Sequence, residues 1–188
     1  HQEARKLQDQ GLPVSIIIPA TVYSARVTDS GLGFQFRKFC QRKIPFLVRS
    51  QYINSYVDLE DIATGIILVS QQRNAIGEEY IFCNGFMPTG EVFDLFEEVT
   101  GLPKPKRELS LSMASKIAFI NELIARITGN IPVISRELLA NMKNDCRLNN
   151  QKSIKELGMK YKPLRESMRH ELTQQYEELI KRGLVKSP

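Results

Sequence analysis

Few residues of this 188-residue chain have the types and spacing that chemistry needs, and most of those stand apart. Two histidines, His1 and His170, leave little material for a Ser-His-Asp triad or a histidine metal site. His170 falls inside a long helical pattern and reads as a surface residue. Cys40, Cys83 and Cys146 are odd in number, far apart and form no Cys-x-x-Cys. They signal neither a disulfide framework nor zinc, so reduced thiols and a cytoplasmic location are expected. Asp58 and Asp61 could act as paired acids, but they open a helical pattern, where negative charge favours the positive end of the helix dipole. Their reading is structural. Gly31-Leu32-Gly33 lacks both the preceding strand and the third glycine of a phosphate-cradling loop. Residues of the catalytic and metal-ligating kinds therefore yield no candidate.

Two broader features suggest partners. The formal charge is +5, yet the basic residues are scattered. The one short cluster, Lys104, Lys106 and Arg107, has no aromatic residue interleaved with it, so no nucleic-acid partner is expected. Met113, Ile117, Ile120, Ile124 and Ile127 form a stripe spaced 4, 3, 4, 3. It reads as the core-facing side of a helix in a small helical lobe. The alternative is a noncatalytic interaction module using this Met113–Ile127 stripe as a partner-binding seam.

The elements that position these residues follow from pattern. A hydrophobic content of 42% with 25% charged residues fits a globular protein, and no apolar run is long enough to span a bilayer. A polar helical stretch, Gln2 to Gln10, stops at Gly11. Val14-Ser15-Ile16-Ile17-Ile18 then makes a β-branched run between prolines, the pattern of a parallel strand buried on both faces. Helix followed by buried strand is a crossover, so a further strand is expected before residue 1, and an N-terminus on His1 hints at truncation. Helical patterns follow at Gly31 to Lys43, with Leu32, Phe36, Phe39 and Cys40 inward, and at Asp58 to Gln72, with Ile62, Ile66, Ile67 and Val69 inward. Short extended segments are expected at Phe46 to Val48 and Tyr52 to Val57, and a strand at Glu79 to Cys83. Thr89 is expected to cap a helix closed by Gly101. Further helices are expected from Leu109 to Gly129, from a Ser135 cap through Lys143, from Gln151 to Leu157, and from Pro163 to Arg182.

Four places in this order carry a resemblance. They are Gly11-Leu12-Pro13-Val14 through Pro19-Ala20-Thr21-Val22-Tyr23; Tyr56-Val57-Asp58-Leu59-Glu60-Asp61-Ile62-Ala63; Gly77-Glu78-Glu79-Tyr80-Ile81 with Thr89 and Val99-Thr100-Gly101; and Lys155-Glu156-Leu157-Gly158 with Tyr161-Lys162-Pro163-Leu164. They resemble the extended short-chain dehydrogenase/reductase family, in its NAD-dependent epimerase/dehydratase branch with dihydroflavonol-reductase-like proteins, over its C-terminal part.

The resemblance implies an α/β fold: the C-terminal portion of a Rossmann-like doubly wound parallel sheet plus a helix-rich substrate-binding lobe. Residues 1–86 would complete the sheet with inserted substrate-side segments, and residues 87–188 would form the mainly helical lobe. It implies NAD or NADP in the complete protein, with Pro19, Ala20, Thr21 and Val22 as cofactor-binding residues against the nicotinamide. Tyr23, Ser24, Phe34, Val48, Tyr52 and Tyr56 would bind a small-molecule substrate, a sugar nucleotide or a hydrophobic alcohol or ketone. A homodimer is an option for the complete protein. The family's Tyr-x-x-x-Lys pair is absent: four residues after Tyr23, Tyr52, Tyr56, Tyr80, Tyr161 and Tyr176 stand Val27, Tyr56, Glu60, Asn84, Arg165 and Ile180. This oxidoreductase portion is therefore expected to be inactive alone. Ser24 and Ile18 depart from the family's pattern, which has a glycine and a polar or basic residue there.

Overall fold

A computed structural model describes residues 2–29, 31–49, 52–129, 139–140 and 142–185. In chain order its elements are α1 (Gln2–Asp9), β1 (Ile16–Pro19), β2 (Thr21–Tyr23), α2 (Gly31–Cys40), β3 (Leu47–Val48), β4 (Ile53–Asp58) and α3 (Leu59–Gln71). After a single 3-10 turn come β5 (Glu79–Phe82), β6 (Gly85–Pro88), α4 (Thr89–Thr100), β7 (Glu108–Leu109), α5 (Leu111–Thr128), α6 (Gln151–Leu157) and α7 (Leu164–Lys181). The helix expected from Ser135 to Lys143 lies mostly outside the described residues.

The strands form a mixed α/β arrangement. β1 runs parallel to β5, from Ile16 opposite Glu79 to Pro19 opposite Phe82. The Ala20 amide donates to the Phe82 carbonyl at 2.9 Å, and the chain then changes partner. β2 runs parallel to β4, with Thr21 opposite Tyr56, while β4 also pairs antiparallel with β6. Proline at 19 suits this transfer, because it has no amide hydrogen to offer a ladder. β3 and β7 make a separate two-residue parallel pair.

Three clusters hold the elements together. The largest joins Tyr23, α2 through Phe36 and Phe39, α4 through Leu95 and Phe96, and α7 through Met168 and Leu172. Its aromatic rings meet edge-on or tilted, Phe36 and Phe96 at 5.0 Å and Phe39 and Phe96 at 5.4 Å between centroids. A second cluster packs Val57, Tyr80 and Phe82 beneath α3 and against Leu157 and Met159. A third gathers Phe46, Ala114, Ala118 and Leu139.

Several expectations need correction. β1 is half-buried rather than buried on both faces, and among the described residues no strand pairs with its edge opposite β5. Without a neighbour on that side, its isoleucines keep part of their surface. On α3, Ile66 and Ile67 point outward, and the inward positions are Asp61 and Gly65, with Ile62, Leu68 and Val69 partly buried. The reason is Gly65: a Cβ there would stand 2.4 Å from the Phe82 ring, so helix and strand approach through the missing side chain. Much of the stripe on α5 is likewise turned out, with Met113 53%, Ile120 55% and Ile124 51% exposed, while Ile117 is partly buried against Phe46 and its neighbours. Ala114 and Ala118 face inward instead, because small residues let α5 lie close to Phe46. The side chain of Ile127 is outside the described residues. Thr89 is the first residue of α4 and not its cap, and α5 begins at Leu111, capped by the Ser110 side chain. β6 and β7 were not expected.

Candidate functional site: a cleft beside strand β4

Alternation along β4 decides what each of its residues does. Ser55 and Val57 point to one face and are fully buried. The Ser55 hydroxyl donates to the Cys146 carbonyl at 2.7 Å and accepts from the Leu148 amide at 2.9 Å, fastening the 145–148 segment to the sheet. Asn54 and Tyr56 point the other way, as does Tyr52 just ahead of the strand, into a cleft of about 840 Å³.

The cleft brings together Thr21, Phe34, Val48, Tyr52 and Tyr56 from β2, α2, β3 and β4. Sequence reasoning named those five. It missed Asn54, Lys38, Phe46, Phe93 and Cys146, which also line the cleft. Alternation with Tyr52 and Tyr56 was the signal for Asn54. For Lys38 the signal was its place one turn from Phe34 on the same helix face.

Polar groups on β2 and β4 form a ladder along one wall. The Tyr52 hydroxyl donates to Asn54 Oδ1 at 3.1 Å, and Asn54 Nδ2 donates to Thr21 Oγ1 at 2.7 Å. Tyr56 is only 5% exposed, and burial pushes its phenol up to about 12, a rise that a hydrogen bond with Asn54 eases and neighbouring Tyr52 adds to. Both tyrosines therefore stay protonated donors at neutral pH. The Tyr52 carbonyl accepts from the Thr89 amide at 3.0 Å and from its hydroxyl at 3.1 Å, which fixes the start of α4 at the rim.

The remaining expected residues lie elsewhere. Pro19 is exposed at the carboxyl end of β1, Ala20 is buried, and Val22 is half-buried in β2, none of them lining the cleft. Ligands of parallel sheets lie outside the carboxyl ends of the strands, and Pro19 is exposed at that end of β1. Tyr23 and Ser24 do not reach the cleft: Tyr23 is 2% exposed in the aromatic core, where burial raises its pKa far above the tyrosine range. Gly31-Leu32-Gly33 is not a pyrophosphate cradle. A Cβ at Gly33 would come within 1.7 Å of the Val27 carbonyl oxygen, so that glycine serves helix packing and not a phosphate.

Asp58 and Asp61 belong to a knot at the carboxyl end of β4. The Asp58 carboxylate accepts from the Glu60 amide at 2.8 Å, from Lys162 Nζ at 3.2 Å and from the Ser167 hydroxyl. Asp61 accepts from Asn84 Nδ2 at 2.5 Å and from the Lys162 amide at 3.2 Å, and Asn84 Oδ1 accepts from the Asp58 amide at 3.0 Å. These bonds tie together β4, α3, the β5–β6 turn and α7. The structural reading from sequence fits this geometry.

No family model matches the chain. A curated Synechocystis sp. protein, provisionally named a dihydroflavonol 4-reductase, is 22% identical over 171 residues, covering 89% of this chain and 49% of its own length. The chain thus spans about half of the curated relative it matches. Among solved structures, gox2253 is 26% identical with a TM-score of 0.73, over 98% of this chain and 55% of that one. PA4631, a nucleoside-diphosphate-sugar epimerase from Pseudomonas aeruginosa, is 18% identical with a TM-score of 0.70, over 98% and 54%. DesIV, a dTDP-glucose 4,6-dehydratase from Streptomyces venezuelae solved with NAD and TYD, is 16% identical with a TM-score of 0.66, over 97% and 49%. The resemblance read from the sequence is borne out: this chain has the fold of the C-terminal half of Rossmann-like, NAD-dependent epimerase/dehydratase and dihydroflavonol-reductase-like structures of the short-chain dehydrogenase/reductase kind.

Proposed function

We propose that this chain is the substrate-binding part of an NAD(P)-dependent oxidoreductase or epimerase that acts on a carbonyl or hydroxyl carbon. The observation that carries the reading is the cleft of about 840 Å³, which gathers Thr21 from the strand-end segment with Phe34, Val48, Tyr52 and Tyr56. When bound, NAD(P) supplies the hydride exchange at the substrate carbon. Pro19, Ala20, Thr21 and Val22 form one wall for the nicotinamide. Phe34 and Val48 exclude water from an apolar substrate body, and the Tyr52–Asn54–Thr21 ladder orients its polar end. Tyr23 and Ser24 support that wall from the core. The unpaired edge of β1 and the exposed Ile66 and Ile67 suit a nucleotide-binding half that would complete the sheet.

The chain alone is inactive on this reading, because neither a Tyr-x-x-x-Lys pair nor a glycine-rich phosphate loop is in its sequence. The coding sequence ahead of His1 tests it. A glycine-rich strand-to-helix turn and a Tyr-x-x-x-Lys pair are expected there, and a coding sequence lacking both would contradict the proposal.

A second reading, a protein-interaction module, rests on the outward Met113 and Ile120 of α5. If it holds, Ile120→Glu releases a partner or lowers the sedimenting mass; on the first reading it changes neither.

A further inference from the structure

The cleft is largely apolar, yet one cation in it is unmatched among the described residues. α2 turns two faces to its surroundings: Leu32, Phe36, Phe39 and Cys40 are buried, while Phe34, Gln35 and Lys38 line the cleft. The Lys38 ammonium sits over the Phe34 ring at 5.1 Å from its centroid, one helical turn away, which keeps it on the cleft side. Among the described residues no carboxylate pairs with it. The other cation of the lining, Arg49, is matched by Glu108 at 3.3 Å, itself a lining residue. Among the described residues, one positive charge therefore remains, half-buried among Phe34, Ile44, Phe46, Val48 and Phe93.

That charge is held at a cost. Burial pulls the Lys38 pKa below its ordinary value of 10.5, and the neighbouring Lys43 and Arg37 pull the same way. An unpaired ammonium in an apolar wall is stabilised when an anion arrives beside it. Arginine would grip a planar or bidentate group, whereas lysine meets an anion as a point charge. A diphosphate would bring more negative charge than one free ammonium can offset.

Resting on the substrate-cleft reading above, we infer that the substrate is an apolar molecule bearing one anionic group, held by Lys38, and not a nucleoside diphosphate. The apolar body lies against the aromatic and aliphatic lining, and the carbonyl or hydroxyl end meets the ladder on β4.

The test uses two fluorescent probes with one skeleton, 8-anilinonaphthalene-1-sulfonate and the uncharged N-phenyl-1-naphthylamine. Both are titrated into the whole chain, and each is scored for protection of Cys146, a cleft-lining thiol, against iodoacetamide. The sulfonate is expected to bind about tenfold tighter than the neutral probe, the scale of a charge-assisted contact. Lys38→Met and Lys38→Gln should each abolish that preference while leaving the neutral probe's affinity unchanged, and Lys38→Arg should keep it. Equal binding of both probes by the wild type, or a preference that survives Lys38→Met, overturns the inference and leaves the cleft reading intact. UDP displacing the sulfonate more tightly than the sulfonate binds also overturns it. Failure of both probes to protect Cys146 removes the cleft reading and this inference together.

Discussion

Two polar constellations share strand β4, and they differ in how completely their groups are satisfied. At the carboxyl end, Asp58 and Asp61 spend their acceptor capacity on protein donors from four segments. Along the cleft face, Tyr52, Asn54 and Thr21 are linked to each other and still face open space. The first pattern makes a scaffold, since these buried carboxylates are tied to protein donors. The second lines the wall of a cleft with linked polar groups. Burial alone would not separate the two, because Tyr56 is as buried as Asp61.

The contrast can be broken most severely at the knot. Asp58→Ala leaves the Glu60 amide and the Ser167 hydroxyl without their acceptor and should cost about 3 kcal/mol in urea unfolding. A loss below about 1 kcal/mol would mean that Asp58 is not a keystone. Next comes the close approach that sets the tilt of α3. Gly65→Ala places a methyl group against the Phe82 ring and should cost about 1–3 kcal/mol by the same measurement. Neutral or stabilising behaviour would show that the helix can slide.

On the cleft side the balance reverses. Asn54→Leu removes two half-exposed hydrogen bonds and should lower stability by only about 1 kcal/mol. It should nevertheless alter ligand binding in the cleft, read as changed protection of Cys146 by the neutral probe. A stability loss equal to that of Asp58→Ala would erase the distinction between scaffold and site.

The smallest effect depends on pH. Burial pulls the Lys162 pKa down, but hydrogen bonds to Glu60 and Asp58 outweigh it, so the folded value lies above the ordinary 10.5. A raised lysine contributes stability in full below 10.5 and loses it as pH rises through the folded value. Because its side chain is 41% exposed, the contribution is expected to stay below about 1 kcal/mol. The melting-temperature gap between wild type and Lys162→Met should hold constant through neutral pH and narrow only above 10.5. A gap that widens there would reverse the assigned sign.

Local patterning carried much of this fold into view. The β-branched run gave β1, the glycines at 11, 101 and 158 mark left-handed helix ends, and Leu32, Phe36, Phe39 and Cys40 are buried as their spacing predicts. What escaped was set by tertiary contact. The outward turns of Ile66, Ile67 and Ile120 depend on where a glycine or alanine lets another element come close, and hydrophobic periodicity ranks isoleucine above both. β6 and β7 are short and borrow their extended form from partners. In the cleft, Thr21, Phe34, Val48, Tyr52 and Tyr56 were named through resemblance, and they line it together. Lys38 and Asn54 were not, because their importance rests on an unmatched charge and on a hydrogen-bond ladder, both properties of the assembled cleft.

The central proposal is a division of labour: this chain would supply the cleft and one nicotinamide wall, and its sequence carries no glycine-rich pyrophosphate loop. Titration of this chain with NADH and NADPH, followed by nicotinamide fluorescence, tests that most directly. The account predicts no saturable binding of either cofactor under conditions where the neutral aromatic probe binds and protects Cys146. Tight, saturable binding of NADH or NADPH by this chain alone would contradict it.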